Sequence, residues 1–153
     1  MTAKTKTSWK KWILITGLVL VAGGAVIYWW AATLKYNDTA DEKAEYTVNA
    51  ADLIAEFRKN DSAANKKYRE RIITVNGRIS QLESPDTATV NVKFIDSTSA
   101  YLIFAFQEQH LGEAKTLKEG DSVSIKASCS GVAFSTILEV PYVSFKRAAL
   151  NKQ

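Results

Sequence analysis

The residues best suited to acid–base or nucleophilic chemistry are a single histidine and a single cysteine. His110 follows polar residues 107–109, and neither a second histidine nor a nearby cysteine completes a metal site or a catalytic triad. We therefore expect His110 to be an exposed polar side chain. Cys129 ends a stretch in which apolar residues alternate with polar ones, a pattern typical of a buried, unreactive thiol. An exposed Cys129 would instead allow a disulfide between chains in an oxidising compartment.

The acidic residues and the glycines are dispersed rather than arranged for catalysis. Glu83 with Asp86, and Glu119 with Asp121, could meet, but each pair lies in a segment whose composition predicts a turn. The seven glycines are scattered and form no phosphate-binding loop. The sequence therefore predicts a protein that is not an enzyme and that holds neither a cofactor nor a metal ion.

The elements that would position these residues are a short helix and five strands. Asn49 is a suitable N-cap, and Leu53, Ile54 and Phe57 recur on one face of the helix that follows. Period-two alternation of apolar residues then predicts strands over residues 71–82, 90–94, 123–129 and 134–145. A run that is apolar on both faces predicts a further strand over residues 100–106. A short helix is predicted over residues 107–116 and a turn at residues 130–131.

This order of elements indicates a fold class. Five strands with a short helix between the third and the fourth match the order of an OB-fold, a partly open Greek-key barrel. Gly77 lies within the long first strand, where such a barrel needs a sharp bend. We predict a mainly β domain, a five-stranded OB-fold barrel preceded by a short helical segment. A two-sheet sandwich of the same strands is the alternative.

Aromatic residues of the second and third predicted strands could form a ligand surface. OB-folds bind ligands across these strands and the adjoining loops, and single-stranded nucleic acids stack on aromatic rings there. The same alternating aromatic residues could instead fill the core. The candidate ligand-binding residues, taken with two nearby basic side chains, are Arg78, Lys93, Phe94, Tyr101, Phe104 and Phe106.

An uncharged segment of residues 12–34 precedes the domain and is long enough to cross a bilayer as a helix. Residues 1–11 contain four lysines and no acid, so the positive-inside rule places the N-terminus in the cytoplasm. We expect a basic stub (1–11), one transmembrane helix (12–34), a polar stalk (35–46) and an OB-fold domain (47–150). The domain would then lie in the periplasm, attached to the inner membrane. A cleaved signal peptide is the alternative.

The charge distribution bears on the partner. The chain has a formal net charge of +4, and the first eleven residues account for all of it. The residues beyond the apolar segment carry equal numbers of basic and acidic side chains. A neutral domain lacks the general attraction for phosphates, so nucleic acid is disfavoured as a partner. We expect a membrane-anchored binding module for an envelope protein, a peptide or a glycan. A domain that binds single-stranded oligonucleotides is the alternative.

Several short stretches resemble a known family. They are residues 46–53, 73–79 and 117–123, together with Cys129-Ser130-Gly131. In these stretches the chain resembles the bacterial tRNA-anti-like family of membrane-anchored proteins and lipoproteins. The resemblance implies an OB-fold and no particular activity. The family pattern often has a second cysteine twelve residues after the first, but Pro141 stands there in this chain, so the resemblance implies an unpaired Cys129.

Overall fold

The computed structural model of the protein describes residues 9–33 and 37–151. The chain forms two compact units, and the boundary between them along the sequence lies between residues 36 and 37. The first unit contains helix α1, Trp9–Thr33, which begins before the predicted span. By length and composition, α1 is apolar enough to cross a membrane. Residues 1–8 of the predicted stub and residues 34–36 lie outside the described part of the chain.

The second unit is mainly β, as predicted. Its helices are α2 (Ala50–Lys59), α3 (Asp61–Tyr68) and α4 (Leu111–Ala114), the last preceded by a 3-10 turn at Glu108–His110. Its strands are β1 (Tyr46–Asn49), β2 (Ile72–Arg78), β3 (Gln81–Asp86), β4 (Thr89–Ile95), β5 (Tyr101–Phe106), β6 (Ser122–Ser135) and β7 (Val140–Leu150). They form one sheet in the order β1-β2-β6-β7-β5-β4-β3, in which β1–β2 and β5–β7 are parallel pairs.

The prediction of a five-stranded barrel needs correction, because the described sheet has seven strands and is not closed. The first predicted strand is divided where its backbone changes partners. Ile79 N donates to Asp121 O, whereas Ser80 N donates to Lys93 O of β4, both at 2.9 Å. The other additional strand, β1, pairs in parallel with β2. Its four residues are too few for alternation to indicate a strand.

Two predicted turns are also wrong, because the chain continues through them as strand. β3 extends to Asp86, whose Oδ1 accepts a hydrogen bond from Ala88 N at 2.8 Å, so the chain reverses at residues 87–88. β6 continues beyond residues 130–131 to Ser135. Gly131 has φ of +101° beside a shift of register, so this glycine forms a bulge in a long strand rather than a turn.

The core is formed by α2, α3 and the inward side chains of the sheet. α2 begins directly after Asn49, and its buried residues include Leu53, Ile54 and Phe57, as the helical spacing predicted. Tyr68 of α3 is among the largest fully buried side chains. The burial of these apolar groups attaches both helices to the sheet and so determines the position of the loop between α2 and α3.

Candidate functional site

Three of the six predicted ligand-binding residues belong to the core. Phe94, Phe104 and Phe106 are 2%, 0% and 7% exposed. The Phe104 ring stacks on Phe145 with centroids 4.5 Å apart, and it packs against Phe94 at 5.1 Å. The Phe94 and Phe104 rings thus pack within the core, and the three phenylalanines form no exposed aromatic surface for a ligand.

Tyr101 and Lys93 lie together at the edge of the core. Lys93 Nζ donates to Glu83 Oε1 at 2.5 Å and lies 5.2 Å from the centroid of the Tyr101 ring. The other partner of Tyr101 is Tyr142 of β7, stacked nearly parallel at 5.1 Å. This tyrosine pair is therefore held in one orientation before any ligand binds.

The tyrosine pair lines a cleft of about 470 Å³, which we call the α2–β7 cleft. Apolar side chains form most of its wall, and the end of α2, Asn60 and the start of α3 supply a polar rim. Two members of the rim are basic, Arg58 and Lys59, and one is acidic, Asp61. The complete lining is Ile54, Phe57, Arg58, Lys59, Asn60, Asp61, Ala100, Tyr101, Val132, Pro141, Tyr142 and Val143.

A second cleft, of about 440 Å³, lies between the start of α2 and the end of β2. It is lined by Arg78 and Phe94 among others. The Arg78 side chain is exposed and donates through Nε to Gly120 O at 2.7 Å. The structure therefore separates the predicted site residues. Tyr101 lines one cleft, Arg78 and Phe94 line the other, and Lys93 lines neither.

The sequence pattern missed an apolar projection beside the α2–β7 cleft. The ends of β6 and β7, residues 132–141, form a hairpin that we call the β6–β7 arm. Phe134, Ile137 and Leu138 are 61%, 90% and 57% exposed. Alternation predicted one strand over residues 134–145, but the chain turns at residues 136–139 and separates β6 from β7. The exposure of the arm was missed because period two does not report whether anything covers the face it defines.

His110 is buried, with 6% of its surface exposed, contrary to the prediction of an exposed side chain. Its Nε2 lies 2.7 Å from Asp38 Oδ1, and its Nδ1 lies 3.5 Å from Glu113 Oε2. The hydrogen bond from His110, followed by one from the Ala40 N–H, lowers the pKa of Asp38. Among the described residues, no three His, Cys, Asp or Glu side chains are placed to hold a metal ion.

The partner of His110 belongs to a segment that docks on the domain, residues 37–41, which we call the N-terminal strap. Thr39 is fully buried, and its N–H donates to Gln107 Oε1 at 3.3 Å. Lys126 Nζ donates to Ala40 O at 2.9 Å. This part of the predicted stalk is thus held by specific polar contacts, and the role of His110 in the structure is to anchor it.

Replacing Asp38 with alanine is expected to lower the free energy of unfolding by about 1–3 kcal/mol at neutral pH, because His110 loses its charged partner. A folded-state pKa below the ordinary 3.8 means that the carboxylate stabilises the fold above pH 3.8. That contribution disappears as the pH falls through the lower value. Urea denaturation of the full chain in detergent, from neutral to acid pH, measures the difference.

The matched control is Asp41→Ala, which removes the same charge from an exposed position in the same strap. We expect this change to have little effect on stability. An equal loss in both variants, or a loss that persists unchanged at the lowest pH, would contradict the proposed anchoring role.

Cys129 is fully buried, as predicted, within the described core. Desolvation is the main cause that raises the pKa of its thiol to about 11. At neutral pH the thiolate form is therefore scarce, and the thiol is unsuited to nucleophilic chemistry.

A small mainly β domain of this strand order, with an open cleft beside two neighbouring strands, is of the OB-like class, whose members bind ligands on strand and loop surfaces. The sequence model of the tRNA_anti-like family matches residues 1–140. The chain therefore belongs to the tRNA_anti-like family, which confirms the resemblance seen in the sequence. No curated protein matches this sequence.

One solved structure with a similar fold is a lipoprotein from Klebsiella pneumoniae subsp. pneumoniae MGH 78578, to which nucleic-acid binding is provisionally assigned. The two chains are 18% identical, with a TM-score of 0.55. The match covers 77% of this chain and 100% of the other. At this identity the likeness is evidence of a shared fold.

Proposed function

We propose that the protein is a non-enzymatic binding module, anchored in the inner membrane by α1, with its domain in the periplasm. The lysines before the uncharged segment and the absence of acidic residues there support this orientation. The length and composition of α1 support its role as an anchor. The similar fold of a Klebsiella lipoprotein is consistent with a location in the cell envelope.

We propose further that the α2–β7 cleft holds the ligand, which is a segment of an envelope protein, a peptide or a glycan. The observation that carries this proposal is an open, mostly apolar cleft with a few polar groups at its rim. The stacked Tyr101 and Tyr142 rings favour binding, because side chains that are already ordered lose little entropy when a ligand arrives.

A pair of arginine variants tests which cleft binds the ligand. Arg58 lines the α2–β7 cleft, whereas Arg78 lines the second cleft. Both side chains are exposed, so replacement by alanine should leave the fold intact. We expect the full chain in detergent to retain ligands from peptide and glycan arrays, with retention at least about tenfold weaker in Arg58→Ala and unchanged in Arg78→Ala.

The reverse result would contradict the choice of cleft. If Arg78→Ala loses the ligand and Arg58→Ala keeps it, the second cleft is the binding site. If neither array yields a ligand that either variant weakens, the proposed ligand classes are wrong. The thermal unfolding of each variant is measured alongside, so that a loss of binding is not confused with a loss of fold.

The second candidate function is the binding of single-stranded nucleic acid. The description of the Klebsiella lipoprotein favours it, as do two tyrosine rings beside Arg58 and Lys59. The equal numbers of acidic and basic residues beyond the apolar segment weigh against it. In fluorescence anisotropy with a labelled oligothymidylate, we expect affinity no tighter than about 0.1 mM at physiological salt. Tight binding that weakens steeply with salt, and that Arg58→Ala removes, would favour this second candidate.

A further inference from the structure

The β6–β7 arm exposes a cluster of large apolar side chains. Phe134, Ile137 and Leu138 lie close together in sequence at the end of a two-stranded ribbon, with exposed fractions of 61%, 90% and 57%. Together they present roughly 400 Å² to solvent, given that an aromatic side chain alone covers 150–250 Å². This area is comparable to the largest apolar patch on a typical monomer, and such patches are often functional.

The arm cannot cover this surface by folding back into the cleft of its own chain. β6 and β7 are paired along the arm, with Val132 opposite Val143 and Ser135 opposite Val140. This ladder of backbone hydrogen bonds holds the arm extended. The apolar residues at its tip therefore need a partner outside the domain that carries them.

The recess that fits such a projection lies beside the arm. Pro141 is paired with Phe134 in the arm, and it also lines the α2–β7 cleft. One face of the domain therefore carries an apolar projection and an apolar recess side by side. A two-fold symmetric dimer requires a self-complementary surface of this kind, because the same patch of each subunit contacts the same patch of the other.

The charges are also complementary. Glu139 lies on the arm, and the rim of the cleft carries Arg58 and Lys59 against a single acidic residue, Asp61. Among the described ion pairs, Arg58 has only a long contact of 3.9 Å with Asp96, and Lys59 has none. An arm entering the cleft of a second chain would bring Glu139 to this basic rim.

We propose that the protein forms a two-fold dimer in which the β6–β7 arm of each chain occupies the α2–β7 cleft of the other. This rests on the proposed function, because it names the arm of a second copy as a partner of the same cleft. Two arm tips of about 400 Å² each, together with the smaller walls of the two clefts, bury on the order of 1,000 Å² in total, which is the lower end of the range for specific interfaces. The cleft of the dimer is then filled, so any other ligand competes with dimer formation.

Sedimentation of the full chain in detergent, with Ile137→Glu beside the wild type, tests the dimer. Ile137 is 90% exposed, so at concentrations at which both chains are monomeric the variant should unfold at the same temperature as the wild type. We expect its dimer to dissociate at a concentration at least about tenfold higher, because a charge replaces the apolar tip. Ile95→Glu is the control, since Ile95 is also an exposed isoleucine, at 41%, but lies outside the arm.

Cross-linking tests the geometry. Cys129 is buried, so cysteines introduced at Ile137→Cys in the arm and Lys59→Cys at the rim are the reactive ones. Mixing the two variants with a short bismaleimide should give cross-linked dimers that contain one chain of each variant. The control is a mixture of Gly112→Cys with Lys59→Cys. Gly112 is an open position on α4, outside the arm, so this mixture should give no cross-linked dimers.

Three results would overturn the proposal. One is a wild-type chain that stays monomeric at every concentration, and another is a dimer that persists in Ile137→Glu, which would place the contact elsewhere, for instance in α1. The third is an arm that inserts into phosphatidylglycerol-containing vesicles in place of a second chain. None of these results affects ligand binding by the cleft, which the arginine variants measure separately.

Discussion

Replacing Phe104 with alanine is expected to lower the free energy of unfolding by about 3–5 kcal/mol, which is a large part of the stability of a domain of this size. Phe104 is 0% exposed and packs on Phe94 and Phe145, so its removal leaves a cavity in the centre of the sheet. Denaturation by urea, followed by circular dichroism on the full chain in detergent, measures the loss. The leucine of Phe104→Leu fills most of the cavity, so this variant should lose less stability. It should therefore remain folded even if Phe104→Ala does not fold.

Phe134→Ala is the matched control, because it removes the same ring from a position that is 61% exposed. At a protein concentration at which the chain is monomeric, we expect it to change stability by less than about 0.5 kcal/mol. The comparison also decides between the two interpretations of the aromatic pattern. If Phe104→Ala is as stable as the wild type, its ring is not part of the core and its predicted place in a ligand surface regains support.

Replacing Gly131 with alanine is expected to cost about 2–4 kcal/mol. The φ of +101° at this position is a conformation that residues with a Cβ rarely adopt. A Cβ here would also lie 2.5 Å from Asn65 Oδ1, which accepts a hydrogen bond from Val132 N at 3.1 Å. The substitution therefore adds backbone strain and displaces a side chain that attaches α3 to the bulge in β6.

Gly112→Ala is the control for this prediction. An added Cβ at Gly112 meets nothing within 4 Å, and the residue lies in α4. Alanine favours a helix more than glycine does, so we expect no loss of stability and a gain of up to about 1 kcal/mol. Thermal or urea unfolding of both variants provides the measurement. An alanine at residue 131 that is tolerated as well as the one at residue 112 would mean that the bulge does not need glycine.

Much of the fold could be predicted because its signals are local. The face of α2 that carries Leu53 and Phe57 follows from helical spacing, and the strands that follow it come from period-two alternation. The break at Ile79 could not be predicted in this way. It arises because successive N–H groups bond to different strands, and pairing between distant segments leaves no local pattern.

The candidate site was less predictable for the same reason. The sequence identified Tyr101 but not its stacking partner Tyr142, because the two meet only when β5 pairs in parallel with β7. The rim residues Arg58 and Lys59 appear in the sequence as the polar end of an amphipathic helix. Packing of α2 against the sheet is what turns them toward a cleft.

The sequence by itself determined the properties that depend on composition and spacing. It indicated an uncharged segment of membrane length, a mainly β domain with a leading helix, and a buried cysteine. The tertiary structure decided which apolar face is covered and which is left open. Phe104 and Phe134 both lie in segments that the sequence predicts as strands, yet one is 0% and the other 61% exposed. The physical reason is that alternation defines two faces of a strand, whereas their burial depends on segments far away in the chain, as Asp38 does for His110.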